Sequence, residues 1–216
     1  MSNNITELVL LLDRSGSMNG LESDTIGGFN SIIEKQKKQD GACFVSTVLF
    51  DHETEVLYDR VPIEKVGVMT QKEYFTRGST ALIDALGGAI DHISTIHRYI
   101  RQEDVPQHTM FVVTTDGMEN ASRKYTAEKV RAMIEEKKTK CGWEFLFIGA
   151  NIDAVTTAAQ YGISDDRAVN YNADSRGTGI LFDAIEKAVG RVRRGEVLDP
   201  CWCESLNEDY EKRGRK

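Results

Sequence analysis

The run Leu8-Val9-Leu10-Leu11-Leu12 is apolar at every position and is stopped by Asp13. A strand with one solvated face alternates apolar and polar residues, so a run with no polar face belongs in a parallel sheet covered by helices on both sides. A second run, Met110-Phe111-Val112-Val113, closes in the same manner, on Thr114-Thr115-Asp116-Gly117. Two buried strands that each end on a carboxylate point to an open α/β sheet, and such sheets build their ligand sites just beyond the C-terminal ends of their strands.

The segments between and after these strands alternate in period. From Ser23 to about Gln39, Ile26, Phe29, Ile32 and Ile33 recur at helical spacing, weakened by Gly27-Gly28 and ended by Asp40-Gly41. Cys43 to Phe50 and Glu53 to Arg60 read as strands, and the short Asp51-His52 connection makes them an antiparallel hairpin. Ala81 to Arg101 carries a long apolar stripe at helical spacing, closed by Asp104-Val105-Pro106. Thr109 to Thr115 is the next strand, and a helix starts at Thr126 with Val130, Met133 and Ile134 on one face. Trp143 to Gly149 is a strand, Ala154 to Tyr161 a short helix, Ala168 to Tyr171 a last short strand and Gly179 to Arg194 a closing helix, with Ser175 to Gly179 as its entry turn. This alternation predicts a doubly wound α/β fold: a mostly parallel central sheet with one antiparallel edge strand and helices on both faces. Residues 1–195 are expected to form that domain and residues 196–216 a C-terminal extension, either solvated or docked as a short amphipathic helix through Leu206 and Tyr210.

The first buried strand ends in Asp13-Arg14-Ser15-Gly16-Ser17, which sets a carboxylate and two hydroxyls on one short loop. Oxygen groups of this kind suit a hard cation such as Mg²⁺. The same residues also suit an ordinary strand-to-helix turn. Two further segments decide between the two: Gly78-Ser79-Thr80, at the start of the long helical pattern, and Thr115-Asp116-Gly117. If the two apolar strands are sheet neighbours, Asp13 and Asp116 arrive at one sheet edge, with Thr80 above the crevice.

In this order and spacing the three segments resemble the von Willebrand factor A domain and its metal-ion-dependent adhesion site, over roughly residues 5–195. The resemblance implies that Asp13, Ser15, Ser17, Thr80 and Asp116 surround one divalent ion, directly or through water. Mg²⁺ is the expected ion, with Mn²⁺ or Ca²⁺ as alternatives. It also implies an open coordination position that an Asp or Glu carboxylate of a partner protein fills. Relatives of this short look serve in intracellular multi-protein assemblies, so the expected function is metal-dependent protein binding in the cytoplasm, without enzymatic activity.

Other classes fit less well. A net charge of -7 argues against a nucleic-acid footprint, which needs a basic face. No stretch approaches a membrane span, and the apolar run bracketed by Glu7 and Asp13 is too short for a signal-peptide core. The alternative function is a metal-dependent phosphatase-like hydrolase with Asp13 as nucleophile, but the position two residues on, where such an enzyme needs a general acid, is Ser15. Ser15 and Ser17 lack a Gly-x-Ser-x-Gly elbow and an assignable His base. His52, His92, His97 and His108 form no metal-binding pattern, and His97 reads as a partly buried, satisfied histidine. Cys43 and Cys141 are expected to be buried or half-buried thiols, and the Cys201-Trp202-Cys203 pair lacks the further ligands a zinc site needs.

Overall fold

A computed structural model describes residues 4–213. Strand β1 (Ile5–Asp13) is buried from Thr6 onward and lies in the middle of the sheet. It pairs in parallel with β2 (Ala42–Phe50) on one side and with β4 (His108–Thr115) on the other. The antiparallel edge strand β3 (Thr54–Pro62) lies outside β2, while β5 (Glu144–Gly149) and the short β6 (Ala168–Asn170) follow β4. The order is β3-β2-β1-β4-β5-β6. The expected sheet, with its single antiparallel edge, is therefore the observed one.

The apolar runs are apolar throughout because both faces of the sheet are covered. Leu8, Leu10 and Leu12 join one core, whereas Val9 and Leu11 join the other. Met110 and Val112 divide from Phe111 and Val113 in the same way. The first core is roofed by α1 (Glu22–Gln36) and α5 (Ser175–Arg193). These two helices pack so closely that a Cβ on Gly28 would meet the Phe182 ring at 2.0 Å, which explains a glycine that otherwise weakens α1. The second core is roofed by α2 (Leu82–Tyr99), α3 (Ala127–Cys141) and α4 (Ala154–Gln160).

Two local expectations need correction. Ser175 to Gly179 is not an entry turn but the first turn of α5, because the Asp174 carboxylate caps the helix by accepting the Gly177 amide at 2.7 Å. Cys141 is exposed rather than buried, since it is the last residue of α3, just before the left-handed Gly142 that ends the helix.

The segment after α5 packs onto the body. Leu198, Trp202, Cys203 and Leu206 extend the first core, and α6 (Glu204–Arg213) buries Leu206 and Asp209. The Trp202 indole donates to the Asp166 carbonyl at 2.9 Å, and the Arg167 guanidinium donates to the Leu198 carbonyl at 2.7 Å. The partner of Leu206 on the buried face of α6 is thus Asp209, held by Arg213 and Asn172, while Tyr210 is only half-buried.

Glu7 is fully buried within β1 and bonded to the Arg60 guanidinium at 2.5 Å, with the His97 ring at 3.4 Å. Arg60 reaches inward because β3 is bulged against β2 and its own backbone is left-handed, with φ of 53°. His97 is accordingly a structural residue, set edge-on against Trp143.

Candidate metal centre

The register of β1 and β4 pairs Leu12 with Thr114, so Asp13 lies level with Thr115 and Asp116 follows one residue beyond. Asp13 has no exposed surface. Its Oδ1 accepts the Ser15 amide at 2.7 Å and its Oδ2 accepts the Thr115 hydroxyl at 2.5 Å. The Tyr74 hydroxyl donates to its backbone carbonyl. The carboxylate is thus held by one donor on each oxygen, one from its own loop and one from β4, while Tyr74 holds the backbone behind it.

The loop after β1 then folds back over the strand ends. The Arg14 amide donates to Phe50 O at 2.8 Å and the Gly16 amide to Gly78 O at 3.1 Å, which ties the first motif to the second. A short 3-10 turn, Gly16–Met18, presents Ser17. The Ser15 and Ser17 hydroxyls stand 3.0 Å apart, and Ser17 Oγ donates to Asp116 Oδ1 at 2.5 Å.

Thr80 closes the group from the other side. A Cβ built on Gly117 would lie 3.1 Å from Ser17 Oγ and 3.3 Å from Thr80 Oγ1, so both hydroxyls converge on one point. Any side chain at position 117 would crowd them, which gives the glycine of Asp116-Gly117 its reason. The Thr80 amide donates to Asn120 Oδ1 at 2.9 Å, and the Thr80 carbonyl accepts the amides of Asn120 and Ala121 at 3.0 and 3.2 Å. The structure thus brings together Asp13, Ser15, Ser17, Thr80 and Asp116, drawn from three separate loops.

The electrostatics of the cluster are those of an unfilled demand for positive charge. Burial raises the Asp13 carboxyl above its ordinary 3.8, against the opposing effect of hydrogen bonds from Thr115 and Ser15. Burial also lifts Asp116 to about 6, which the Ser17 hydrogen bond opposes and the charge of Asp13 reinforces. Asp116 Oδ2 is buried without a hydrogen-bond partner. A buried acceptor of this kind costs about 1–3 kcal/mol unless something satisfies it. An all-oxygen set of two carboxylates and three hydroxyls, one oxygen of which lacks a partner, fits a hard divalent cation.

Several supporting groups were not legible as such in the sequence. Tyr74 and Asn120, which hold Asp13 and Thr80, lie outside the three motifs, and Thr115 lies within the third without any sign there that it holds Asp13. The residue between Asp13 and Ser15 also proves structural. Arg14 is fully buried, with Nε 2.8 Å from Asp51 Oδ2 and Nη1 2.7 Å from Glu55 Oε2. Arg77 joins the same Asp51 oxygen at 2.9 Å. Burial pushes the Asp51 carboxyl up, but hydrogen bonds from Arg77, the Glu53 amide and Arg14 outweigh it and leave the group below its ordinary value. Asp51, His52 and Glu53 offer atoms within 4.8 Å of one another, but the Asp51 oxygens are already committed to these partners.

No family model and no curated protein matches the sequence. Solved structures do match its shape. Proximal thread matrix protein 1 from the mussel byssus, with a zinc-occupied MIDAS motif, superposes with a TM-score of 0.58 at 15% identity, over 88% of this chain and 47% of that one. A von Willebrand factor type A protein from Catenulispora acidiphila gives 0.53 at 15% identity, over 85% of this chain and 42% of that one. The chain has the von Willebrand factor A fold. Manganese-loaded TRAP protein from Plasmodium vivax also superposes, with a TM-score of 0.53 at 17% identity, over 84% of this chain and 74% of that one. The chain spans about half the length of the first solved chains it matches, 47% in the case of the mussel protein. In this von Willebrand factor A fold the cluster of Asp13, Ser15, Ser17, Thr80 and Asp116 lies at the C-terminal edge of β1 and β4, where the strand order switches direction.

Proposed function

We propose that this chain is a metal-dependent protein-binding module in which Asp13, Ser15, Ser17, Thr80 and Asp116 form a complete metal-ion-dependent adhesion site. The observation that carries it is the buried convergence of two carboxylates and three hydroxyls, with Asp116 Oδ2 left without a partner. The metals named with the mussel and Plasmodium structures, zinc and manganese, support a divalent ion in this position of the fold. Mg²⁺ is our choice of native ion, because the donors are all hard oxygens.

When bound, the ion supplies a Lewis-acidic position that a carboxylate of another protein can fill. The chain's own residues prepare it. Ser15 N and Thr115 fix Asp13, Ser17 fixes Asp116, and the Asn120 side chain holds the Thr80 loop in place. Because only Asp13 and Asp116 bring charge, a divalent ion is neutralised by the protein alone but not over-neutralised, and it keeps an affinity for an incoming Asp or Glu. We place the module in a cytoplasmic multi-protein assembly; among the described residues no helix is long and apolar enough to cross a membrane.

Catalysis is not part of the proposal. A phosphatase-like role would need Asp13 as a free nucleophile, whereas each of its oxygens accepts a short hydrogen bond. Affinity capture with and without a chelator tests the function: partners that bind only with Mg²⁺, and not to an Asp13→Ala variant, support it. Identical capture in both conditions refutes it.

A further inference from the structure

The loop that carries Thr80 also forms part of a cleft of about 700 Å³, lined among others by His52, Glu53, Thr54, Asp84, Arg123 and Lys124. Its frame is continuous with the metal-site loops. The Ala81 amide donates to Asp51 O at 2.7 Å, and the Thr80 carbonyl binds the chain at Asn120 and Ala121. Below Arg123 and Lys124, the Asp84 carboxylate accepts the amides of Arg123, Lys124 and Tyr125 at 2.8, 2.8 and 2.9 Å. The backbone that presents these two cations is therefore held in place before any ligand arrives.

Their charge is only partly spent internally, on the attraction of Lys124 to Asp84. The acids that line the cleft are already engaged, Asp84 by three amides and Glu53 by Arg77 at 3.1 Å. The Arg123 and Lys124 side chains are exposed, and neither enters an ion pair among the described residues. On a chain of net charge -7, Arg123 and Lys124 balance Glu53 and Asp84 in the cleft lining, so this surface is locally neutral and exposes two adjacent cations outside ion pairs. Adjacent exposed cations of this kind select acidic partners.

Resting on the metal-site reading above, we infer that the segment bound there carries a second acidic side chain, which lies in the cleft against Arg123 and Lys124. The partner motif is a doubly acidic peptide, not an isolated Asp or Glu. Its first carboxylate meets the ion, and its second is held by charge alone, without a buried partner.

Two capped peptides of equal length test this, one with a single Glu and one with a second Glu a few residues away, each titrated into the full chain in Mg²⁺. The second Glu should tighten binding by about three- to tenfold, as expected for exposed ion pairs, and added salt should shrink that gain. The double variant Arg123→Ala, Lys124→Ala should lose the gain while it binds Mg²⁺ and the single-Glu peptide like the parent. Both truncations leave the backbone amides held by Asp84 intact, so the loop keeps its shape. Equal affinity for the two peptides, or the same gain in the double variant, overturns the inference alone. If neither peptide shows Mg²⁺-dependent binding, the metal-site proposal falls and takes this one with it.

Discussion

Replacing Asp116 with Asn removes one of the two buried carboxylates and preserves the shape of the side chain, so in metal-free protein the substitution should be stabilising. Asp116 is 2% exposed, and burial, reinforced by the charge of Asp13, sets its pKa at about 6 in place of 3.8. Because the folded-state value is the higher one, the proton's contribution to stability is fully present below about 4 and is lost as pH rises through about 6. At neutral pH the metal-free fold therefore carries the ionised group at a cost. The displacement corresponds to at most about 3 kcal/mol, and solvent screening at the open side of the loop reduces this to on the order of 1–2 kcal/mol. For a chain of this size that is a rise in melting temperature of about 2–8 °C. Thermal or urea denaturation in excess chelator, at about pH 7 and about pH 4, measures it. The Asn variant should be the more stable protein at the higher pH, should lose most of its advantage at the lower one, and should gain nothing from Mg²⁺. A variant equal to or weaker than its parent in chelator at neutral pH would refute the claim that the metal-free fold carries an ionised Asp116 at a cost.

The parent protein should be stabilised by Mg²⁺ or Mn²⁺, by about 2.7 kcal/mol at a hundredfold excess over Kd, and Asp13→Ala should abolish the shift in a thermal melt. Raising pH through about 6 should strengthen metal binding, since the ion competes with the proton on Asp116; calorimetric titrations that show no such trend would count against that residue as a ligand. Arg60→Ala leaves Glu7 buried without its guanidinium and should cost about 3–5 kcal/mol by urea denaturation. Gly28→Ala drives a methyl into the Phe182 ring and should destabilise by at least about 1–3 kcal/mol, the opposite of the small gain expected for an exposed helical glycine.

What the sequence determined by itself is what depends on local period and short spacing. Two apolar runs with no polar face demanded a covered parallel strand, and the alternation around them demanded crossover helices. The three loop segments were legible for the same reason: each is a contiguous stretch at a strand or helix end, so its residue types could be read before its position was known. Tertiary structure alone decided which groups would support them. Thr115 holds Asp13 only because β4 lies beside β1 in one register, and Tyr74 reaches the same residue across an irregular loop. Asp174 lengthens α5 by a turn that glycines at 177 and 179 argued against, because a cap outweighs propensity there. In the sequence Glu7 bounds an apolar run, and in the fold it is buried, since a bulge in β3 turns Arg60 inward to meet it. Neither residue signals the other in the sequence: the energy of a buried charge depends on its neighbours in space, and those are set by register, bulge and strand order.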